Sequence, residues 1–146
     1  HGKGWSKIST EWTRVITWAL KLNRGVIFTS HAIDKEITSR ITKEKFHRVV
    51  PTLKGGGANL INAIVDIWIY AYYDGNGQRH LRIRGNEDIA AGHRLKENFI
   101  GIETIPMGKN AEEAYANLVA GFENRLTPAK VEAGTPVKKS FKLGGK

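Results

Sequence analysis

Between Ala32 and Arg48 the chain carries Lys35, Arg40, Lys43, Lys45 and Arg48, with Phe46 and His47 among them. Cations interleaved with an aromatic ring suit single-stranded nucleic acid, because charge follows the phosphate backbone while a ring stacks on a base. Asp34, Glu36 and Glu44 in the same stretch equally fit a solvated loop. Just upstream, Ser30-His31 closes a short apolar run, Gly25-Val26-Ile27-Phe28-Thr29. Neighbours on a strand point to opposite faces, which argues against a Ser–His nucleophile and base. One of the two can instead face a ligand as a polar sensor, since open α/β sheets bind ligands beyond the C-terminal ends of their strands. Further on, Gln78 to Arg84 alternates, with Leu81 and Ile83 on one face and His80, Arg82 and Arg84 on the other. Two arginines on one side of a strand either grip phosphate bidentately or face solvent. The five histidines lack ligand spacing and no carboxylates gather around them, so no metal site is expected. No G-x-x-x-x-G-K-[ST] run and no catalytic triad signature is present.

The elements that must position these residues follow from periodicity. Ile8, Trp12, Val15, Ile16, Ala19 and Leu20 have helical spacing, which predicts a one-faced helix over 6–22 that stops at Asn23-Arg24-Gly25. Val26 to Thr29 reads as a strand buried on both faces, and such a strand needs neighbours on both sides. A helix followed tightly by that strand is half of a βαβ unit whose first strand is missing. Ala32 to Arg48 shows no sustained period; the four-residue spacing of Ile33, Ile37 and Ile41 suggests a transient helix within a long loop. Gly55-Gly56-Gly57 frees the backbone for close approach or positive φ. A short helix over 58–64, a strand over 65–73, a turn at Asp74-Gly75-Asn76-Gly77 and a return strand over 78–84 follow. Gly85 to Gly108 reads as irregular. Asn110-Ala111-Glu112-Glu113 has the form of a capping box and opens a helix carrying Tyr115, Leu118, Val119 and Phe122.

The chain has 146 residues, enough for one domain with a real core. Its net charge is +9, and the excess lies in the first half and the tail: residues 32–55 carry 6 basic and 3 acidic groups, and residues 125–146 carry 6 and 1. Such a field favours a polyanion. No run of 18 apolar residues occurs, so no membrane partner is expected. The absence of cysteine excludes disulfides and thiolate chemistry and fits a reducing cytoplasm. His1 to Gly4, with no initiator methionine, reads as a severed end.

The order of elements is similar to the C-terminal half of a RecA-type ATPase core. More closely, Gly2-Lys3-Gly4-Trp5, Val26 to Ala32, Val50-Pro51-Thr52-Leu53, Val65-Asp66 with Trp68, and Gly92-His93-Arg94 resemble phage RecA-like P-loop (AAA) ATP-binding proteins of the Sak single-strand annealing group. The resemblance spans residues 2–95. It implies an α/β fold, namely a partial RecA-like core: the C-terminal half of a mostly parallel sheet with a β-hairpin. Residues 1–108 would be that core, 109–125 a C-terminal helix and 126–146 a flexible basic tail.

The resemblance also implies roles. Thr29, Ser30 and His31 would sense the terminal phosphate of ATP. Lys35, Arg40, Lys43, Lys45, Phe46, Arg48 and Lys54, in a mobile second DNA-binding loop, would contact single-stranded DNA. Arg82 and Arg84 would reach a neighbouring subunit's ATP as a trans arginine finger. ATP and Mg²⁺ are implied for the complete protein, together with self-association into a filament or ring. The family's Walker A lysine and Walker B aspartate lie upstream of the Gly-Lys-Gly-Trp segment and are not in this chain, so it is expected to be inactive alone and to need the N-terminal ATPase half. The localisation implied is the cytoplasm, that of the host cell if the protein is phage-encoded. A non-catalytic nucleic-acid-binding module, or a phage assembly domain using its Trp- and Tyr-rich strand, accommodates the same charge and composition.

Overall fold

A computed structural model describes residues 3–53 and 55–126. His1, Gly2, Lys54 and the expected basic tail from Thr127 onward lie outside the described residues. The chain divides into two compact units. One holds the described residues up to Asp66 together with Glu87–Ala90; the other holds Ile67–Asn86 and the described residues from Ala91 onward.

In the first unit, helix α1 (Lys3–Leu20) packs on helix α2 (Gly55–Ile64). Ile16 and Ile61 are its buried apolar residues. The glycine triplet serves both of its expected purposes. Gly55 takes a φ of 61°, and a β-carbon on Gly57 would stand 3.2 Å from Trp12 Nε1, so the missing side chain lets the indole lie against α2. Helix α1 ends as expected near Asn23, but Asn23 and not Gly25 takes the left-handed conformation, with φ 50°. Asparagine tolerates that region better than other side-chain-bearing residues.

The expected strand over Val26–Thr29 does not form. Residues 25–31 are irregular, and Ile27 is 89% exposed. An apolar run becomes a buried strand only when ladders flank it, and among the described residues no strand pairs with this one. The expected loop is itself a hairpin: β1 (Ala32–Thr38) and β2 (Lys45–Pro51) pair antiparallel from Ala32↔Pro51 to Thr38↔Lys45. The spacing of Ile33 and Ile37 fits both readings, since four is a multiple of the strand period of two as well as near one helical turn. Ile41 falls in the connecting turn and is 93% exposed. Along the outer edge of β2, Val49 donates to the Asp88 carbonyl at 2.7 Å and accepts from the Ala90 amide at 2.9 Å. The outer edge of β1 pairs with no strand among the described residues.

The second unit is built on a three-stranded antiparallel sheet, β4 (Tyr70–Tyr73), β5 (Arg79–Arg82) and β7 (Thr104–Pro106), in the order β4-β5-β7. A small pair, β3 (Ile67–Trp68) with β6 (Gly92–His93), joins it, so the single strand expected over 65–73 is broken at Ile69. The turn is as expected: Asp74 donates to Gln78 O at 2.8 Å and Gly77 has φ 76°. Helix α3 (Ala111–Phe122) starts at the expected cap, where Glu113 N–H donates to Asn110 Oδ1 at 2.8 Å. Ile83, Phe99, Ile102 and Ile105 form the buried core, with Leu81, Leu95 and Leu118 packed against it.

The architecture is thus mixed α/β with three helices. The named strands pair antiparallel, and the one parallel contact between described residues is an isolated bridge, Val49↔Ile89. A mostly parallel sheet is therefore not what these residues form. Parallel neighbours need crossover connections of a dozen or more residues, whereas β1–β2 and β4–β5 are joined by short turns.

Candidate phosphate-facing and nucleic-acid site

The hairpin raises its basic residues on a built scaffold. At the tip, Ser39 N–H donates to Glu44 O at 2.8 Å, and Ser39 Oγ accepts from the amides of Ile41 and Thr42 at 3.3 and 3.1 Å. Lys43 takes a φ of 63° and donates its amide to Ser39 O at 3.1 Å, closing the turn. Arg40 and Lys43 are both exposed there. Lower down, Lys45 pairs with Glu36 at 2.9 Å, and Lys35 stands opposite Arg48 in the ladder. Phe46 is half-buried opposite Ile37. The six described cations and aromatics expected at this site thus share one hairpin, while Lys54 lies outside the described residues.

The base of the hairpin holds the second expected group. Thr29, Ser30 and His31 line an open recess of about 180 Å³. Ser30 Oγ donates to the His31 carbonyl at 3.0 Å and lies 3.1 Å from Thr52 Oγ1. Thr52 N–H donates to His31 O at 2.9 Å, extending the ladder one step below Ala32↔Pro51. Thr52 enters the sequence reading only within the Val50–Leu53 segment and with no role assigned to it. It is 22 residues from Ser30, and a lone threonine after proline carries no local signal of that contact.

Arg82 closes β5 in the second unit, and Arg84 lies two residues beyond it, so the return strand expected to run to Arg84 ends at Arg82. The amides of Ile83 and Arg84 both donate to Glu103 O, which interrupts the regular ladder. They are not equivalent. Arg82 Nε donates to the Arg84 carbonyl at 2.9 Å, its Nη2 lies 3.8 Å from Glu103, and its side chain is only 18% exposed. The Arg84 side chain is exposed. On the same face, His80 Nε2 meets Asp74 Oδ2 at 3.1 Å and its ring stacks on Tyr72 at 5.6 Å. The Gln78 amide on Asp74 Oδ1, reinforced by the His80 ring and the Asn76 amide, holds the Asp74 carboxyl below its ordinary value. Among the described residues no group of three or more His, Asp or Glu side chains is placed to hold a metal.

Among the described residues the recess is lined by Thr29, Ser30 and His31, and the Ser30 hydroxyl contacts Thr52 and His31. The sequence has no G-x-x-x-x-G-K-[ST] phosphate loop. What the arrangement does offer is a cationic hairpin and, at its base, small hydroxyls suited to sensing an oxyanion held by other groups.

Comparison with known proteins gives one finding: a family model described as an AAA domain matches residues 1–95. No curated protein and no solved structure matches the chain.

Proposed function

The chain belongs to the AAA domain family, and from that premise we propose that it is part of an ATP-dependent, single-stranded-DNA-binding recombination or annealing protein of the phage RecA-like, Sak type. In this reading the described residues are the C-terminal part of a RecA-like core, and the Walker A and Walker B elements are contributed by a segment upstream of residue 1. The exposed apolar surface supports this. Ile27 at the would-be strand, with Ile8, Val15 and Trp18 on α1, presents side chains of a kind that a core sheet normally covers.

The observation that carries the nucleic-acid assignment is the hairpin itself: Arg40 and Lys43 at an exposed tip, with Lys35, Arg48 and Phe46 on the strands beneath. ATP and Mg²⁺ belong to the complete protein, where they would supply the phosphoryl transfer. Here Thr29, Ser30 and His31 would report the terminal phosphate to the hairpin through the Ser30–Thr52 contact, and Arg84 would reach a neighbouring subunit's nucleotide.

The test is fluorescence anisotropy with labelled single-stranded DNA across a salt series, alongside ATP hydrolysis by this chain and by a chain extended upstream. The expected result is salt-dependent DNA binding by both and hydrolysis by the extended chain only. An extended chain that binds neither ATP nor DNA would remove the reading.

A further inference from the structure

The chain leaves the second unit after Asn86 and re-enters it at Ala91; the residues between, Glu87–Ala90, belong to the first unit. The excursion is closed at its root, where the Gly85 amide donates to the Ala91 carbonyl at 3.0 Å. At its far end it lies along β2. Val49 N–H donates to Asp88 O at 2.7 Å, Val49 O accepts from the Ala90 amide at 2.9 Å, and Val49 and Ile89 form a parallel bridge. In an antiparallel pair, residues whose backbone groups point outward alternate with residues whose groups point into the ladder. Arg48 and Val50 therefore exchange ladder bonds with Lys35 and Ile33 of β1, while Val49 between them holds the strap.

Arg84 stands immediately before the root. Its backbone is fixed on that side: the amide donates to Glu103 O at 3.3 Å, and the carbonyl accepts from Arg82 Nε at 2.9 Å. Its side chain is exposed. Between Arg84 and the Asp88 carbonyl that grips β2 lie only Gly85, Asn86 and Glu87. Each residue has only two soft dihedrals, so so short a tether has little freedom to absorb a displacement of β2. Covering an edge accounts for the two bonds to Val49 by itself. It does not account for a strap rooted directly beside an exposed arginine, while the outer edge of β1 pairs with no strand among the described residues.

We infer that the strap, residues 86–90, positions Arg84 according to what the hairpin holds. The strap has two arrangements: gripped, with both Val49 bonds made, and released. A ligand shifts such a pair only by binding one arrangement more tightly than the other. Single-stranded DNA on the hairpin steadies β2 and favours the gripped arrangement, which restrains the backbone at Gly85 and hence at Arg84. Arg84 is thereby ordered for a neighbouring subunit's nucleotide when DNA is bound. The inference rests on the proposed function and adds to it a link between its two binding events.

The experiment uses the whole chain and an oligothymidylate, with amide hydrogen exchange read residue by residue by NMR and affinity by anisotropy at low salt. In the parent chain the oligonucleotide is expected to slow exchange about threefold or more at the Val49, Ala90 and Gly85 amides. Two variants cut the link differently. Ala90→Pro removes the donor to Val49 O, and Ile89, in its bridge, already has the extended backbone that a residue before proline adopts. A Gly-Gly insertion between Asn86 and Glu87 keeps every strap bond and slackens the tether. Both variants are expected to bind the oligonucleotide within about twofold of the parent, since neither touches the basic residues of the hairpin. In both, the response at Gly85 should vanish, and in the insertion variant Ala90 should still respond. Slowing confined to residues 32–51 in the DNA-bound parent, or a Gly85 response that survives the insertion, would overturn the inference while leaving DNA binding in place. A parent chain that fails to bind the oligonucleotide at low salt would instead remove the nucleic-acid reading, and this one with it.

Discussion

Gly121 of α3 lies so close to Ile105 of β7 that a β-carbon on the glycine would stand 2.7 Å from Ile105 Cδ1. Ile105 is fully buried, so it has no open space to enter, and the partly buried Leu126 Cδ1 would stand 3.3 Å away. Helix α3 is held against the sheet by this absence of a side chain. Gly121→Ala therefore overpacks the second unit even though alanine is the better helix former. The expected loss is about 1–3 kcal/mol, read by urea unfolding. A variant as stable as the parent would show that α3 can shift without cost.

The acid side of the stability curve depends on Asp74. Its carboxylate accepts the Gln78 and Asn76 amides and the His80 ring, which hold its folded value below the ordinary one. A carboxyl lowered by folding adds stability above its unfolded value and loses it as pH falls through the folded one. Thermal midpoints should therefore decline as the medium is acidified below the ordinary carboxylate range. Asp74→Asn should flatten that decline and lower stability near neutrality. An acid limb identical in the two proteins would assign the pH dependence to other carboxylates.

Arg82, at the end of β5, and Arg84, just beyond it, should separate by variant. Arg82→Ala removes the 2.9 Å bond to the Arg84 carbonyl and is expected to cost about 1 kcal/mol of stability. Arg84→Ala touches an exposed side chain and should leave stability within about 0.5 kcal/mol. If Arg84 serves a neighbouring subunit's nucleotide, ATP hydrolysis by the complete protein should fall about a thousandfold in Arg84→Ala. Unaltered hydrolysis in that variant would exclude Arg84 as a finger.

What the sequence made legible was local. The Asn110 cap, the turn after Asp74 and the alternation of β5 each need only a few adjacent residues, and each is where its pattern put it. Failures came where the deciding partner is distant or ambiguous. Ile33 and Ile37 satisfy two periods at once, so the hairpin could be recognised only from its pairing with residues 45–51. Val26–Thr29 has strand composition, but composition cannot provide a ladder. At the site, the basic residues were legible by type. Which of them share a face was not, because that depends on a register set by the turn at 39–44, where Lys43 adopts a left-handed conformation.

The outer edge of β1 carries a last consequence. Its outward amides and carbonyls are those of Ala32, Asp34, Glu36 and Thr38, a ready template for another strand. Two copies meeting there about a two-fold axis would have one residue of each strand on the axis. If that residue is Lys35, it faces its own copy, and Asp34 faces Glu36. If it is Asp34 or Glu36, a carboxylate faces itself. Every symmetric register centred on the charged stretch is thus penalised by like charge. A two-fold pairing of copies along the charged stretch of β1 is therefore disfavoured, although the edge is otherwise open among the described residues.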